Sequence, residues 1–207
     1  AFFHHEQKHH LTMFKSIRRT IDGQPSTKQS NPEQSPQSKG IVYLMRGLPS
    51  CGKSTTGKRL AGKKGLVIET DAFFQKDGGD PENYHFDAGR LDEARSDTHQ
   101  QIRNAISRGI SPIVIGRGNG LNQETKIYID IAMEYGDQVE LKEPESPWWN
   151  EIRVLLKHKE GTQLAMDAWA RELERLSRKT HGVGYNTIRR WMNTWRTDLT
   201  IERILRS

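Results

Sequence analysis

Eight consecutive residues are spaced for handling phosphate. Gly47-Leu48-Pro49-Ser50-Cys51-Gly52-Lys53-Ser54 reads GxxxxGKS, the Walker A pattern. Glycine at both ends lets the backbone turn its N–H groups onto phosphate oxygens. A helix opening at the far end aims the positive end of its dipole at the same anion. Lys53 then stands opposite the β- and γ-phosphates of a nucleoside triphosphate, and the Ser54 hydroxyl can fill one position around Mg²⁺. A glycine-rich turn without a ligand is the plainer reading. Context separates the two, because a working loop follows a strand and opens a helix. Ile41-Val42-Tyr43-Leu44-Met45 reads as that strand and 54–63 as that helix. Gly47, Leu48, Pro49, Ser50, Cys51, Gly52, Lys53, Ser54 and Thr55 are therefore the expected nucleotide-binding residues.

A second group follows at Ile68-Glu69-Thr70-Asp71-Ala72-Phe73-Phe74. In a parallel sheet, functional groups gather at the carboxyl ends of strands. Leu66-Val67-Ile68 reads as a strand, so Asp71 sits just past such an end and can face the phosphates. A carboxylate there can accept the proton of an attacking hydroxyl, or join Ser54 in holding Mg²⁺. It can equally be a turn or helix-capping aspartate. Cys51 lies inside the loop at a helix N-terminus, where a thiol pKa is lowered. Its alkylation is expected to block nucleotide binding.

These residues need a scaffold. After Gly40, short β-rich runs alternate with helical stretches. Strands are predicted at Ile41 to Met45, Leu66 to Ile68, Ile110 to Ile115 and Val139 to Leu141, with helices at 54–63, 89–108 and 122–135. Beyond Pro147 come helices at 148–158, 163–179 and 185–196. Pro112 marks either a sheet edge or the beginning of its strand. The alternation predicts an α/β fold, a mostly parallel sheet with right-handed crossovers and helices on both faces. Leu91, Ala94, Ile102, Ala105 and Ile106 make the apolar side of the 89–108 helix. Ala165, Trp169, Leu173 and Leu176 form one stripe of the 163–179 helix, with Arg171, Arg175 and Arg178 on another face.

The chain has 207 residues, enough for one α/β domain and a tail. Residues 24–39 hold three Pro, four Gln and four Ser with no apolar side chain beyond proline. Residues 1–39 are accordingly expected to form a disordered tail. Residues 1–12 precede Met13 and read as upstream sequence. His4, His5, His9 and His10 offer a metal site as the sharper alternative, but a mobile tail holds coordination geometry poorly. No apolar run approaches the roughly 20 residues that cross a bilayer, and no secretory signal is evident. Cys51 is the single cysteine, which excludes a disulfide framework. The expected setting is reducing and cytoplasmic, with no membrane partner. The net charge is +6, and residues 146–207 carry twelve basic and seven acidic side chains. Such a basic face can attract nucleotide or nucleic-acid phosphates, or simply be solvated.

A longer pattern now stands out. The loop is followed by Thr70-Asp71 with aromatics, then Tyr84-His85-Phe86-Asp87, then a strand ending near Asn119. Glu143-Pro144-Glu145-Ser146-Pro147-Trp148-Trp149 and Arg178-Lys179-Thr180-His181-Gly182-Val183 come after it. In this order, residues 40–196 resemble the polynucleotide 5′-hydroxyl kinase group of P-loop kinases. The resemblance implies a kinase-type P-loop NTPase fold with a C-terminal helical lid over about 150–184. It implies ATP and Mg²⁺ as cofactors and a nucleic acid 5′ end as acceptor. It further implies Asp71 as general base, Lys53 neutralising phosphate charge, and Arg178 reaching from the lid to the transferring phosphoryl group. Asn119, Arg117 and His181 are then candidate substrate contacts.

The sequence departs from that pattern in places. Arg117 precedes Gly118-Asn119 where the family usually has an acidic residue, and Ala72 replaces a second acid. Phe74 stands where the phage member has a substrate-phosphate arginine. No hydrophobic run ending in Asp forms a Walker B, so Mg²⁺ is expected on Ser54 and Asp71. Two further readings stay open: a P-loop kinase of a small metabolite or nucleoside, and an ATP-binding module without transfer. Trp148 and Trp149 can stack on a base or pack a helix start into the core.

Overall fold

The five residues Ile41–Met45 are apolar throughout, as expected of a strand covered on both faces of a parallel sheet. The computed structural model describes residues 40–75, 86–116, 123–178, 180 and 182–207, all within the unit Ser35–Ser207. The disordered tail and histidine cluster expected before Gly40 lie outside these residues. Strands β1 (Ile41–Met45), β2 (Leu66–Glu69), β3 (Ile113–Gly116) and β4 (Gln138–Lys142) are all parallel, in the order β2-β3-β1-β4.

Strand alternation divides the core. Val42, Leu44, Ile68, Ile113 and Ile115 face a layer made by helices α2 (Leu91–Ser107), α3 (Gln123–Glu134) and α7 (Ile201–Leu205). Ala94, Ile102, Ala105 and Ile106 of α2 are buried there, as its periodicity predicts, while Leu91 is half-buried. Met45 and Val114 face the opposite side, against α1 (Lys53–Ala61). That layer is narrower, because β4 turns Glu140 and Lys142 to it and pairs them at 2.7 Å.

A third core is wholly helical. Helices α4 (Pro147–Lys157), α5 (Gln163–Ser177) and α6 (Tyr185–Thr194) surround Trp149, Ile152, Met166, Leu173, Ile188 and Met192. Leu48 and Cys51, from the glycine-rich loop, are buried in the same cluster. The expected lid segment is thus packed onto the loop.

Several boundaries differ from the sequence prediction. β3 begins at Ile113 and lies between β2 and β1, so Pro112 precedes an inner strand and marks no edge. Proline fits there because only its carbonyl is used, accepting from Leu66 N at 3.0 Å. The buried stripe of α5 is Met166, Ala170, Leu173 and Ser177; Ala165 is exposed, and Trp169 and Leu176 flank the stripe. The predicted stripe is displaced by about one position because it weighted the bulky Trp169 above the small Ala170 and Ser177. α6 ends at Thr194, where Trp195 turns extended. α7, only five residues long, has too short a period to read from sequence.

Candidate active site

β1 brings the chain to the carboxyl edge of the sheet, and α1 leaves from it one short loop later. Gly52, the N-cap of α1, has φ +88°, a left-handed conformation that glycine adopts without strain. No side chain caps this helix and no acid stands in its first turn. Its leading N–H groups and the positive end of its dipole are left for an anion. Lys53 folds back over the loop, Nζ donating to the carbonyls of Gly47 at 3.0 Å and Leu48 at 2.8 Å. Burial pushes its ammonium pKa below the usual 10.5, an effect that neighbouring Cys51, Asp71 and Glu69 partly oppose.

Asp71 opens a 3-10 turn, Thr70–Gln75, directly after β2 and is exposed. Asp71 and the loop lysine both follow strands that end at the carboxyl edge of the parallel sheet, and the carboxylate favours the charged form of Lys53. The Ser54 hydroxyl, also exposed, donates to Glu69 Oε1 at 2.7 Å. Glu69 is absent from the candidates drawn from sequence. The available signal was its place as the last residue of β2, the position where parallel sheets collect functional groups.

The oxygen donors of Ser54 and Asp71, with Glu69 bonded behind Ser54, suit a hard cation such as Mg²⁺. Among the described residues no group of three or more His, Cys, Asp or Glu could hold a metal alone. A cation here would complete its shell with phosphate oxygens and water, the usual habit of Mg²⁺.

The loop is braced from outside by the segment after β4. A Cβ on Gly47 would lie 2.8 Å from Pro144 Cγ, so only glycine allows this approach. Glu145 N donates to Thr56 Oγ1 at 3.1 Å, Ser146 Oγ donates to Cys51 O at 2.9 Å, and Trp148 Nε1 donates to Ser50 O at 3.2 Å. Ser146 also caps α4 by accepting from Trp149 N at 3.2 Å. Trp149 is 0% exposed, bonds Glu143 Oε2 at 3.2 Å and meets Trp195 edge-to-face at 5.2 Å. It presents no face to a base, and of its two expected roles the packing one holds. The half-buried Trp148 pins the loop.

Behind the loop, Arg46 is buried, stacks on Trp195 at 4.1 Å and donates to Arg196 O at 2.7 Å. It ties the end of β1 to the chain leaving α6. None of these braces was read from sequence, because each joins segments about 90 to 150 residues apart.

The expectation of a lowered thiol pKa at Cys51 is overturned. Its side chain is fully buried against helices α4 to α6, and desolvation pushes its thiol pKa up to about 12. The helix N-terminus does not offset this loss of solvent. At pH 8 the thiol stays protonated, so little of it is nucleophilic thiolate. Native protein is therefore expected to resist iodoacetamide at pH 8 over hours, with full labelling only in denaturant. Mass spectrometry reads this directly, and rapid native labelling would contradict the burial.

Arg178 ends α5 and is exposed, with Nη2 4.0 Å from Glu174 Oε2. Arg171 and Arg175 are exposed on the same helix, and Arg175 pairs with Glu172 at 2.6 Å. Arg117, Asn119 and His181 lie outside the described residues. Phe74 is buried and meets Phe73 and Phe86 edge-to-face at 5.3 and 5.2 Å. It serves as packing beneath the turn that carries Asp71.

No family model matches the chain. Human NEDD4-binding protein 2 (Homo sapiens) is 32% identical over 111 residues, which is 53% of this chain and 6% of that protein. The chain therefore spans only a small fraction of that relative. Among solved structures, one from the Pnkp1/Rnl/Hen1 RNA repair complex superposes with a TM-score of 0.52 at 13% identity. The match covers 79% of this chain and 46% of that one. A chain of the PezAT chromosomal toxin-antitoxin system of Streptococcus pneumoniae covers 84% of this chain and 86% of its own length. Its TM-score is 0.36 at 15% identity, too loose to speak to the fold. Among the described residues no helix is long and apolar enough to cross a membrane. The strand, glycine-rich loop and helix at the carboxyl edge of a four-stranded parallel sheet give this chain a P-loop α/β fold, with helices on both faces of the sheet.

Proposed function

We propose that the protein is an ATP- and Mg²⁺-dependent phosphotransferase that moves the γ-phosphate of ATP to a 5′-hydroxyl of nucleic acid. The observation that carries this reading is the glycine-rich loop with Lys53 folded over it, together with the exposed Asp71 directly after β2 at the same carboxyl edge of the sheet. The loop N–H groups and Lys53 hold the phosphates. Asp71 accepts the proton of the acceptor hydroxyl as its oxygen bonds to the γ-phosphorus. The bond from that phosphorus to the bridging oxygen breaks, and ADP leaves. Arg178, on the exposed end of α5, supplies positive charge to the transferring group. Mg²⁺, when bound through Ser54 and Asp71, neutralises charge on the phosphates. Positioning and electrostatics do most of this work, with no covalent intermediate.

Phe74 favours a second reading, a small-molecule acceptor, because it brings no cation to the acceptor side. The test is transfer from γ-labelled ATP to an oligonucleotide bearing a 5′-hydroxyl, to the same strand already 5′-phosphorylated, and to free nucleosides. Label on the 5′-hydroxyl strand alone is expected. Label on nucleosides alone would replace the acceptor. ATP binding without label anywhere would leave a non-catalytic module.

A further inference from the structure

We propose that Glu69 is a positioning residue that aims the Ser54 hydroxyl at a nucleotide-bound divalent cation. The inference rests on the nucleotide-binding half of the reading above. A hydroxyl that ligates a cation uses an oxygen lone pair, so its proton must point elsewhere to an acceptor. Glu69 Oε1 is that acceptor at 2.7 Å, and Ser54 is exposed at the first turn of α1. A charged acceptor also makes the hydroxyl oxygen a better ligand, as partners behind metal ligands generally do.

The sheet is built to deliver this carboxylate. Glu69 ends β2 and Ser54 opens α1, with β3 between β2 and the strand feeding the loop. In the β2–β3 register Glu69 pairs with Gly116. A Cβ on Gly116 would lie 3.0 Å from Glu69 Cγ and 3.3 Å from Oε1. Glycine at 116 leaves the acidic side chain room to cross toward the loop. The carboxylate also lies close enough to raise the Lys53 pKa.

The test is the affinity of a fluorescent ATP analogue with Mg²⁺ and with EDTA, for wild type, Glu69→Gln, Glu69→Ala and Gly116→Ala. The readout is the ratio of the two affinities, which a merely structural role would not move. Melting temperatures confirm that each variant is folded. Glu69→Ala is expected to lower the ratio about 10- to 100-fold, the usual loss for a partner behind a metal ligand. Glu69→Gln, which keeps an acceptor but no charge, should fall between it and wild type. Gly116→Ala should shift the ratio in the same direction. A wild-type ratio in folded Glu69→Ala overturns the proposal, and so does wild-type binding that Mg²⁺ does not tighten. Phosphate transfer is measured separately. A protein that shows the expected ratios yet transfers nothing overturns the phosphotransferase reading and leaves the role of Glu69 in place.

Discussion

Lys53→Met should reduce phosphate transfer about a thousandfold, a typical loss when one preorganised charge is removed from a transferring group. The melting temperature without ligand should stay within a few degrees of wild type. The two expectations come from the same geometry. Lys53 lies against the loop, donating to Gly47 and Leu48 carbonyls, and its burial disfavours the charged form. Holding this ammonium in place opposes its own charge until phosphate arrives. Methionine keeps the apolar stem and removes the desolvated charge, while two loop carbonyls lose a donor. These changes oppose each other, so the fold should survive. Stabilisation of the variant by ATP should vanish, since a ligand raises stability only through binding the native state. The pH dependence has a definite sign. The phosphates need the protonated lysine, and its pKa lies below 10.5. Wild-type nucleotide affinity should fall as pH rises through that lowered value, earlier than for an ordinary lysine. Isothermal titration across alkaline pH checks this. Lys53→Met that transfers phosphate at the wild-type rate would remove the lysine from the mechanism.

What the sequence disclosed about this site follows from distance along the chain. The loop and Asp71 were legible because each is local: a glycine spacing after an apolar run, and an acid just past a strand. The four strands were legible because apolar runs such as Ile41–Met45 stand between polar helices. The brace was not legible. Trp148 on Ser50, Ser146 on Cys51 and Glu145 on Thr56 join parts of the chain that meet only once β1 and β4 pair. Cys51 shows how a local rule fails. A thiol at a helix N-terminus reads as acidic, but the helices α4 to α6, supplied from a hundred residues downstream, close over it and desolvation wins. Pro112 leaves two readings open, an edge or a strand start, and only the strand order selects the second. Glu69 is the reverse case. Its position at a strand end was visible, yet its purpose depends on Gly116 of the neighbouring strand and on Ser54 beyond it.

Asp71→Asn should lower kcat for transfer by about 10²- to 10⁴-fold, the range that positioned proton transfer contributes. This substitution separates the two roles open to the residue. Asparagine caps a turn or helix about as well as aspartate does, so a capping Asp71 would tolerate it with little effect. A base would not, because the amide has no lone pair basic enough to take the hydroxyl proton. The position supports the demanding role. Asp71 lies in the first turn after β2, at the carboxyl edge of the sheet, and is exposed. The buried Phe74, packed on Phe73 and Phe86, fixes that turn from below. Its charge favours the protonated form of Lys53, so an acceptor hydroxyl placed between Asp71 and the bound phosphates would meet the carboxylate on one side and the phosphate on the other. Because Asp71 also faces the expected metal, the variant should weaken nucleotide binding modestly while collapsing the chemical step. Single-turnover kinetics at saturating ATP and acceptor isolate that step from binding. A folded Asp71→Asn protein with a wild-type single-turnover rate would return Asp71 to a turn-capping role and leave proton removal to another group near the glycine-rich loop.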